Sequence, residues 1–126
     1  MAGWDDVARI VGELAETTEA SPRTWRVRKK LIVWERPLRK ADYEALGDDA
    51  PDGDVIGARV ADEGVKFALI ADDPMVYFTT PHFDGYPMVL ARLAEIGVPE
   101  LTELVSDAWL AQAPKTLVRK FLGESS

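Results

Sequence analysis

The only histidine in the chain, His82, has a carboxylate two residues away, at Asp84. A histidine oriented by a carboxylate can act as a general base or as a metal ligand. Nucleophilic catalysis also needs a nucleophile and an oxyanion site, and the sequence offers a candidate only for the base. The alternative is that His82 bonds to the backbone of a tight turn, while Asp84 forms an Asx-type turn before Gly85. We favour this structural interpretation and predict no catalytic residue.

Acidic residues form a second group of candidate ligands, because carboxylate oxygens suit calcium, magnesium or iron. They lie close together in the sequence at Asp42, Glu44, Asp48, Asp49, Asp52 and Asp54. Their spacing does not match an EF-hand loop, and acid-rich loops are usually solvated. The chain has no cysteine, which excludes disulfides, thiol nucleophiles and zinc–thiolate sites. It also has no glycine-rich phosphate loop. We therefore predict neither a metal site nor a cofactor.

The most distinctive charge feature is basic. Residues 23–40 contain eight arginines and lysines but one acid, Glu35, whereas the whole chain has a net charge of −7. Two short runs rich in β-branched and aromatic residues, 24–28 and 31–34, flank Lys29 and Lys30 and predict a β-hairpin. A hairpin with these charges resembles a wing that contacts nucleic-acid phosphates. The predicted contact residues are Arg26, Arg28, Lys29, Lys30, Arg36, Arg39 and Lys40. The alternative is a solvated strand face.

Helical elements are indicated by apolar residues at intervals of three and four. This spacing predicts an amphipathic helix over residues 4–17 and a second one over residues 99–112, the latter ending before Pro114. Shorter helices are predicted over 38–46, which Gly47 ends, and over 116–122. On the apolar faces of these elements and of the hairpin, three tryptophans are expected in the core: Trp4, Trp25 and Trp109.

The remaining apolar runs are short and predict strands. Residues 55–60 and 66–71 are expected to form a second hairpin that turns at residues 62–64. Strands over 77–80 and 88–93 flank the turn that contains His82. The order of elements predicts one α+β domain over residues 1–126, with a single antiparallel sheet of about five or six strands and helices packed on one face.

The turn between the last two strands is conformationally restricted by Pro81, Gly85 and Pro87. The run Phe78-Thr-Thr-Pro-His-Phe-Asp-Gly-Tyr-Pro87 resembles the MmcQ/YjbR family, as do Val89-Leu-Ala-Arg-Leu93 and Asp107-Ala-Trp109 ahead of Ala113-Pro114. Residues 34–42 are similar to a segment of actinobacterial-type members, and the match runs from about Trp25 to Leu122. The chain departs from the family at Lys29, a tight-turn position where we expect glycine.

The resemblance implies a compact α+β domain with a frataxin-like (CyaY-like) fold, in a family that is often labelled DNA-binding. The family-motif residues, for which we predict a mainly structural role, are Thr80, Pro81, His82, Phe83, Asp84, Gly85, Tyr86, Pro87 and Trp109. The expected function is a non-enzymatic module that binds DNA weakly and without sequence preference. Base readout is not expected, because no helix-turn-helix or RNA-recognition signature is present.

Two other functions remain open at this point. One is a small-molecule or metal-handling protein with a pocket near His82, Tyr86 and Trp109, and the other is a protein-interaction domain with an unknown partner. No apolar run approaches 18 residues, so we expect no membrane association. The N-terminus lacks the basic start and apolar run of a signal peptide, so a cytoplasmic location is expected.

Overall fold

The computed structural model describes residues 2–123 as one antiparallel sheet of six strands with five α-helices, which confirms the predicted α+β class. In chain order the elements are α1 (Trp4–Gly12), β1 (Thr17–Ser21), β2 (Thr24–Val27), β3 (Lys30–Glu35), α2 (Lys40–Leu46), β4 (Val55–Arg59), α3 (Glu63–Asp72), β5 (Tyr77–Phe78), β6 (Met88–Arg92), α4 (Val98–Gln112) and α5 (Lys115–Phe121). The strand order in the sheet is β1-β2-β3-β4-β6-β5, and every neighbouring pair is antiparallel. Within residues 2–123, no helix is long and apolar enough to cross a membrane.

The larger core lies on the sheet face that α1 and α4 cover. Alternation along β4 and β6 directs Ile56, Ala58, Val89 and Ala91 into this core, where they join apolar side chains of both helices. Trp109 of α4 is fully buried there, and its indole Nε1 donates to the carbonyl oxygen of Ala15 at 3.0 Å. The prediction that Trp109 is a core residue is therefore confirmed.

The opposite face of the sheet carries a smaller apolar cluster. Val55, Phe78, Met88 and Leu90 form its buried part, and they are covered by Trp34, Leu38, Leu46 and Phe83. Two of these covering residues, Leu38 and Leu46, precede and end α2, so this short helix closes the second face. The same alternation that builds the main core thus builds a second, thinner layer.

Trp34 of β3 is paired with Gly57 on the neighbouring strand β4. A Cβ atom at Gly57 would lie only 2.6 Å from Cε2 of the Trp34 ring. Glycine is therefore required in this central strand because the indole occupies the space of a side chain.

Two predicted elements are wrong. Residues 66–71 belong to helix α3 rather than to a strand, and the carboxylate of Asp62 caps this helix by accepting from the amide of Val65 at 2.9 Å. A short apolar run does not by itself distinguish a helix from a strand. The Asp62 cap favours the helix, because it satisfies a backbone amide of the first helical turn that has no partner within the helix. The first helix ends at Gly12 rather than at residue 17, and residues 17–21 form the edge strand β1. The Thr17 hydroxyl bonds to the carbonyls of Val11 and Leu14 at this transition.

Candidate functional site

The seven basic residues predicted to contact nucleic acid lie in two separate regions. Arg26, Arg28, Lys29 and Lys30 lie at the tip of the β2–β3 hairpin, whereas Arg36, Arg39 and Lys40 follow the other end of β3. Five residues of β3, 31–35, lie between Lys30 and Arg36, which places these two residues roughly 20 Å apart at the usual rise of an extended strand. The basic segment therefore does not fold into one continuous patch.

Arg36 is a buried structural cation. It is only 8% exposed, and its Nη2 lies 3.2 Å from Oδ2 of Asp42, which is 3% exposed. The other guanidinium nitrogen, Nη1, donates to the carbonyl oxygen of Pro37, and the group lies 5.1 Å from the centre of the Phe83 ring. These contacts satisfy the charge inside the fold, so Arg36 cannot serve as the predicted phosphate contact.

The carboxylate of Asp42 organises the residues around Arg36. Burial raises the pKa of Asp42, but the backbone amide of Arg39 (2.9 Å), the Arg36 charge, the Thr80 hydroxyl and His82 together lower the pKa below its usual value. The Thr80 hydroxyl is buried and makes no hydrogen bond of normal geometry in the described part of the chain. These groups hold Asp42 ionised and connect the start of α2 to the turn over residues 81–87, which we call the motif turn.

Arg28 is also neutralised, although at the surface. Its guanidinium makes two bonds to the carboxylate of Glu16, at 2.8 and 3.2 Å. The hydrogen bond from Arg28 is the largest influence on the pKa of Glu16, which lies below its usual value. Arg28 itself has a φ of +54°, so the left-handed conformation of this turn lies at Arg28 rather than at Lys29, where we expected glycine. The ion pair accompanies this conformation, which favours glycine in general.

We call a group of further cations near this tip the basic end: Arg26, Lys29, Lys30 and Lys120. Arg26 is half-buried and donates from Nη1 to the carbonyl oxygen of Lys29 at 3.0 Å, whereas both hairpin lysines are exposed. Lys120 of α5 lies close enough to Glu16 to contribute to its lowered pKa. Gln112 Nε2 donates to the Leu31 carbonyl at 2.9 Å, so the end of α4 is fixed beside the start of β3. Sequence reasoning missed Lys120, because only the fold brings α5 to the hairpin.

The motif turn is held by a residue that lies outside it. Lys66 of α3 is fully buried, and its ammonium donates to the carbonyl oxygens of Phe83 at 2.8 Å and Tyr86 at 3.1 Å. Gly85 has a φ of +84°, a conformation that favours glycine. The turn is thus anchored to α3.

His82 lies exposed on this turn, and its ring meets the Phe83 ring edge to face, with centroids 4.8 Å apart. Within residues 2–123, no hydrogen bond joins the His82 side chain to the backbone or to Asp84. The predicted backbone bond of His82 is therefore replaced by an aromatic contact. Residues 2–123 also contain no group of three or more His, Asp or Glu side chains that could hold a metal ion.

The pocket predicted near His82, Tyr86 and Trp109 does not form. Trp109 is in the core on the α1–α4 face, whereas Phe83, the ring neighbour of His82, belongs to the cluster on the opposite face. Tyr86 is exposed, and its carbonyl is bound by Lys66. The sheet therefore separates these residues.

A different cavity, of about 390 Å³, lies between α3 and α4, and we call it the acidic groove. Its apolar wall consists of Val60, Ala61, Val65, Leu69, Leu104, Leu110 and Ala111. Its polar groups are the Tyr77 hydroxyl and the carboxylates of Asp72, Glu100, Glu103 and Asp107. In the described part of the chain, none of these four carboxylates takes part in an ion pair. No pattern in the sequence predicts this groove, because the apolar run over 66–71, which belongs to one wall, predicts a strand rather than a helix.

The acidic groove carries negative charge that no basic residue in its lining compensates. Burial, followed by hydrogen bonding with the Glu100 carboxylate, raises the pKa of the Tyr77 phenol far above its usual value. Burial and the nearby Glu103 raise the pKa of Asp107. Oε2 of Glu100 is buried and makes no hydrogen bond of normal geometry among residues 2–123. A positive charge in the groove would oppose the contributions that the neighbouring carboxylates make to these shifts.

Comparison with known proteins identifies close relatives in mycobacteria. The chain is 66% identical over 128 aligned residues to uncharacterized proteins of Mycobacterium bovis and of two Mycobacterium tuberculosis strains. The alignment covers 99% of this chain and 99% of each relative. No protein-family model matches the chain, and no solved structure matches it.

Proposed function

We propose that this chain, which belongs to the same family as these mycobacterial proteins, is a non-enzymatic domain that contacts nucleic-acid phosphates through its basic end. The observation that carries the proposal is that Lys29 and Lys30 are exposed at the hairpin tip, while Lys120 of α5 lies near Glu16, the partner of the neighbouring Arg28. In residues 2–123 none of these three lysines forms an ion pair. The resemblance to the MmcQ/YjbR family supports the same function, and a cytoplasmic location belongs to the same proposal.

The chemistry of the basic end favours backbone contact over base readout. Lysines are flexible point charges that neutralise phosphates, and they lack the planar fork that reads guanine edges. On the hairpin, the Arg28 guanidinium is held by the Glu16 carboxylate and the Arg26 guanidinium donates to the Lys29 carbonyl, so both groups already have partners within the protein. Binding through the basic end should therefore be indifferent to sequence.

Affinity should be low and strongly dependent on salt. Each phosphate neutralised contributes about −0.9 to the slope of log K against log salt concentration, so four contacts give a slope of about −3.6. Dissociation constants should lie in the non-specific range of roughly 10⁻⁴ to 10⁻⁶ M. The net charge of −7 opposes binding unless the protein presents its basic end first.

Fluorescence anisotropy of a labelled DNA duplex, titrated at several salt concentrations from about 20 mM upward, tests the proposal. Charge reversal at the tip, Lys29→Glu with Lys30→Glu, should abolish binding. The matched control, Arg39→Glu with Lys40→Glu, changes the net charge equally, but it does so at exposed residues beyond the far end of β3. This control should retain most of the binding.

Two outcomes would contradict the proposal. One is the absence of wild-type binding at about 20 mM salt, where the Debye length exceeds roughly 20 Å. The other is an equal loss in both double variants, which would indicate an effect of net charge rather than a binding surface. Circular dichroism of all the proteins would establish that each variant is folded.

A further inference from the structure

We propose that the acidic groove between α3 and α4 binds a small organic cation with an apolar body, such as an alkylammonium or arylalkylammonium compound. This site is separate from the basic end, and the inference does not depend on nucleic-acid binding. It follows from three properties of the groove, namely its size and apolar wall, its uncompensated carboxylates, and an orphaned acceptor at Glu100.

The size and lining of the groove suit a small molecule. Its volume of about 390 Å³ falls in the range of roughly 300–1,000 Å³ that is typical of ligand pockets. Leu104 and Tyr77 form a buried base, whereas Leu69 and Leu110 are half-buried and Val65 is exposed at the margin. Apolar side chains in a concave site favour a ligand that carries hydrocarbon rather than a hydrated ion.

The charge of the groove selects a cation. Asp72 of α3 faces Glu100, Glu103 and Asp107 of α4, and no basic residue lines the space between them. The one lysine of α3, Lys66, donates to the carbonyl oxygens of Phe83 and Tyr86 in the motif turn. A ligand with a positive charge therefore meets four acceptors without having to displace a protein cation.

Glu100 supplies a specific acceptor within this field. The Tyr77 hydroxyl lies near this carboxylate, but Oε2 is buried and makes no hydrogen bond of normal geometry among residues 2–123. A buried acceptor of this kind is costly to leave unpaired. An ammonium group carries N–H donors that can bond to Oε2 while its hydrocarbon part contacts Leu104 and Leu110. The same arrangement disfavours a metal ion, because the carboxylates do not converge as a ligand group among residues 2–123.

Chemical-shift mapping of ¹⁵N-labelled protein with hexylammonium, hexanoate and inorganic ammonium tests this inference. Hexylammonium should produce saturable shifts confined to α3, α4 and β5. Hexanoate has the same hydrocarbon but the wrong charge, and inorganic ammonium has the charge without the hydrocarbon, so both should cause little change. Equal shifts with hexylammonium and hexanoate would overturn the charge argument, and saturation by inorganic ammonium would overturn the apolar argument.

A charge-matched pair of variants separates a site from a general field. Glu103→Gln with Asp107→Asn removes two exposed rim charges. It should weaken hexylammonium binding about tenfold or more, because each carboxylate attracts the ammonium group electrostatically and both attractions are lost. Glu44→Gln with Asp48→Asn removes the same charge from exposed residues of the α2 region and should leave the affinity nearly unchanged. Equal effects of the two pairs would refute the proposed site.

The measurements would also reveal an occupant larger than a small molecule. If the basic end of a second copy fills the groove, sedimentation equilibrium will show self-association that the Glu103→Gln/Asp107→Asn variant abolishes. If the groove instead accepts only a basic peptide, hexylammonium will give no saturable shift and an oligolysine probe will. Either result would overturn the inference of a small-molecule site.

Discussion

Replacing Asp42 with alanine tests whether the Arg36–Asp42 pair is a structural unit of the fold. Both residues are buried, at 8% and 3% exposure, and the substitution leaves the Arg36 guanidinium with the Pro37 carbonyl and the Phe83 ring as its remaining contacts. Breaking a buried ion pair by removing one partner typically costs about 3–5 kcal/mol of unfolding free energy. We expect a loss in this range for Asp42→Ala near pH 7, because the Arg39 amide also loses its acceptor.

The effect should depend on pH in a defined direction. The pKa of Asp42 is lowered in the folded state, so its stabilisation is complete above the unfolded-state pKa of about 3.9 and is lost as the pH falls through the lower folded-state pKa. The difference between wild type and Asp42→Ala should therefore be constant from about pH 5 to 7 and shrink below about pH 3.9. A pH-independent difference would mean that the carboxylate charge is not what stabilises the site.

Urea denaturation followed by tryptophan fluorescence measures the loss. A double variant, Arg36→Met with Asp42→Leu, should recover much of the stability because it leaves no charge buried without a partner. Glu16→Gln, which weakens the exposed pair with Arg28, is the control and should change the midpoint far less. A loss of less than about 1 kcal/mol in Asp42→Ala, as for a surface pair, would refute the assignment of Arg36 to the interior.

Three further substitutions test other parts of the fold. Trp109→Ala should cost about 3–5 kcal/mol by urea denaturation, the range for truncating a large buried aromatic, and a loss under about 1 kcal/mol would show that it is not a core residue. Gly57→Ala should cost about 1–3 kcal/mol by overpacking against Trp34, and a double-mutant cycle with Trp34→Leu should show that this cost falls when the indole is absent. His82→Asn should change stability by less than about 0.5 kcal/mol, since His82 is exposed; stoichiometric metal in untagged wild type that this variant lacks would contradict a structural His82.

The elements that sequence reasoning located correctly are those with a strong local pattern. Helix α4 has apolar residues at helical spacing between Pro99 and Pro114, and it forms over Val98–Gln112. The β2–β3 hairpin alternates around a polar turn and forms over Thr24–Val27 and Lys30–Glu35. Helix α3 was wrongly assigned because its apolar run fits either period, and the Asp62 cap together with the sheet order decides the outcome.

The candidate sites were less predictable, because burial and pairing are not local properties. The basic segment was visible as a run of charge, but its residues are distinguished only by their partners in the fold. Glu16, twelve residues before Arg28, and Asp42, six residues after Arg36, occupy these two cations. Nothing in the order of residues showed which basic groups would remain exposed.

The amino-acid sequence alone determined the α+β class, the hairpin, the α4 helix and the segment that carries the positive charge, because hydrophobic period and charge are read along the chain. Only the tertiary structure decided that Lys66 holds the motif turn, that Lys120 lies near the Glu16–Arg28 pair, and that α3 and α4 enclose an acidic groove. The physical reason is that these features join residues far apart in sequence. Their proximity results from packing both faces of one sheet, and no local pattern encodes it.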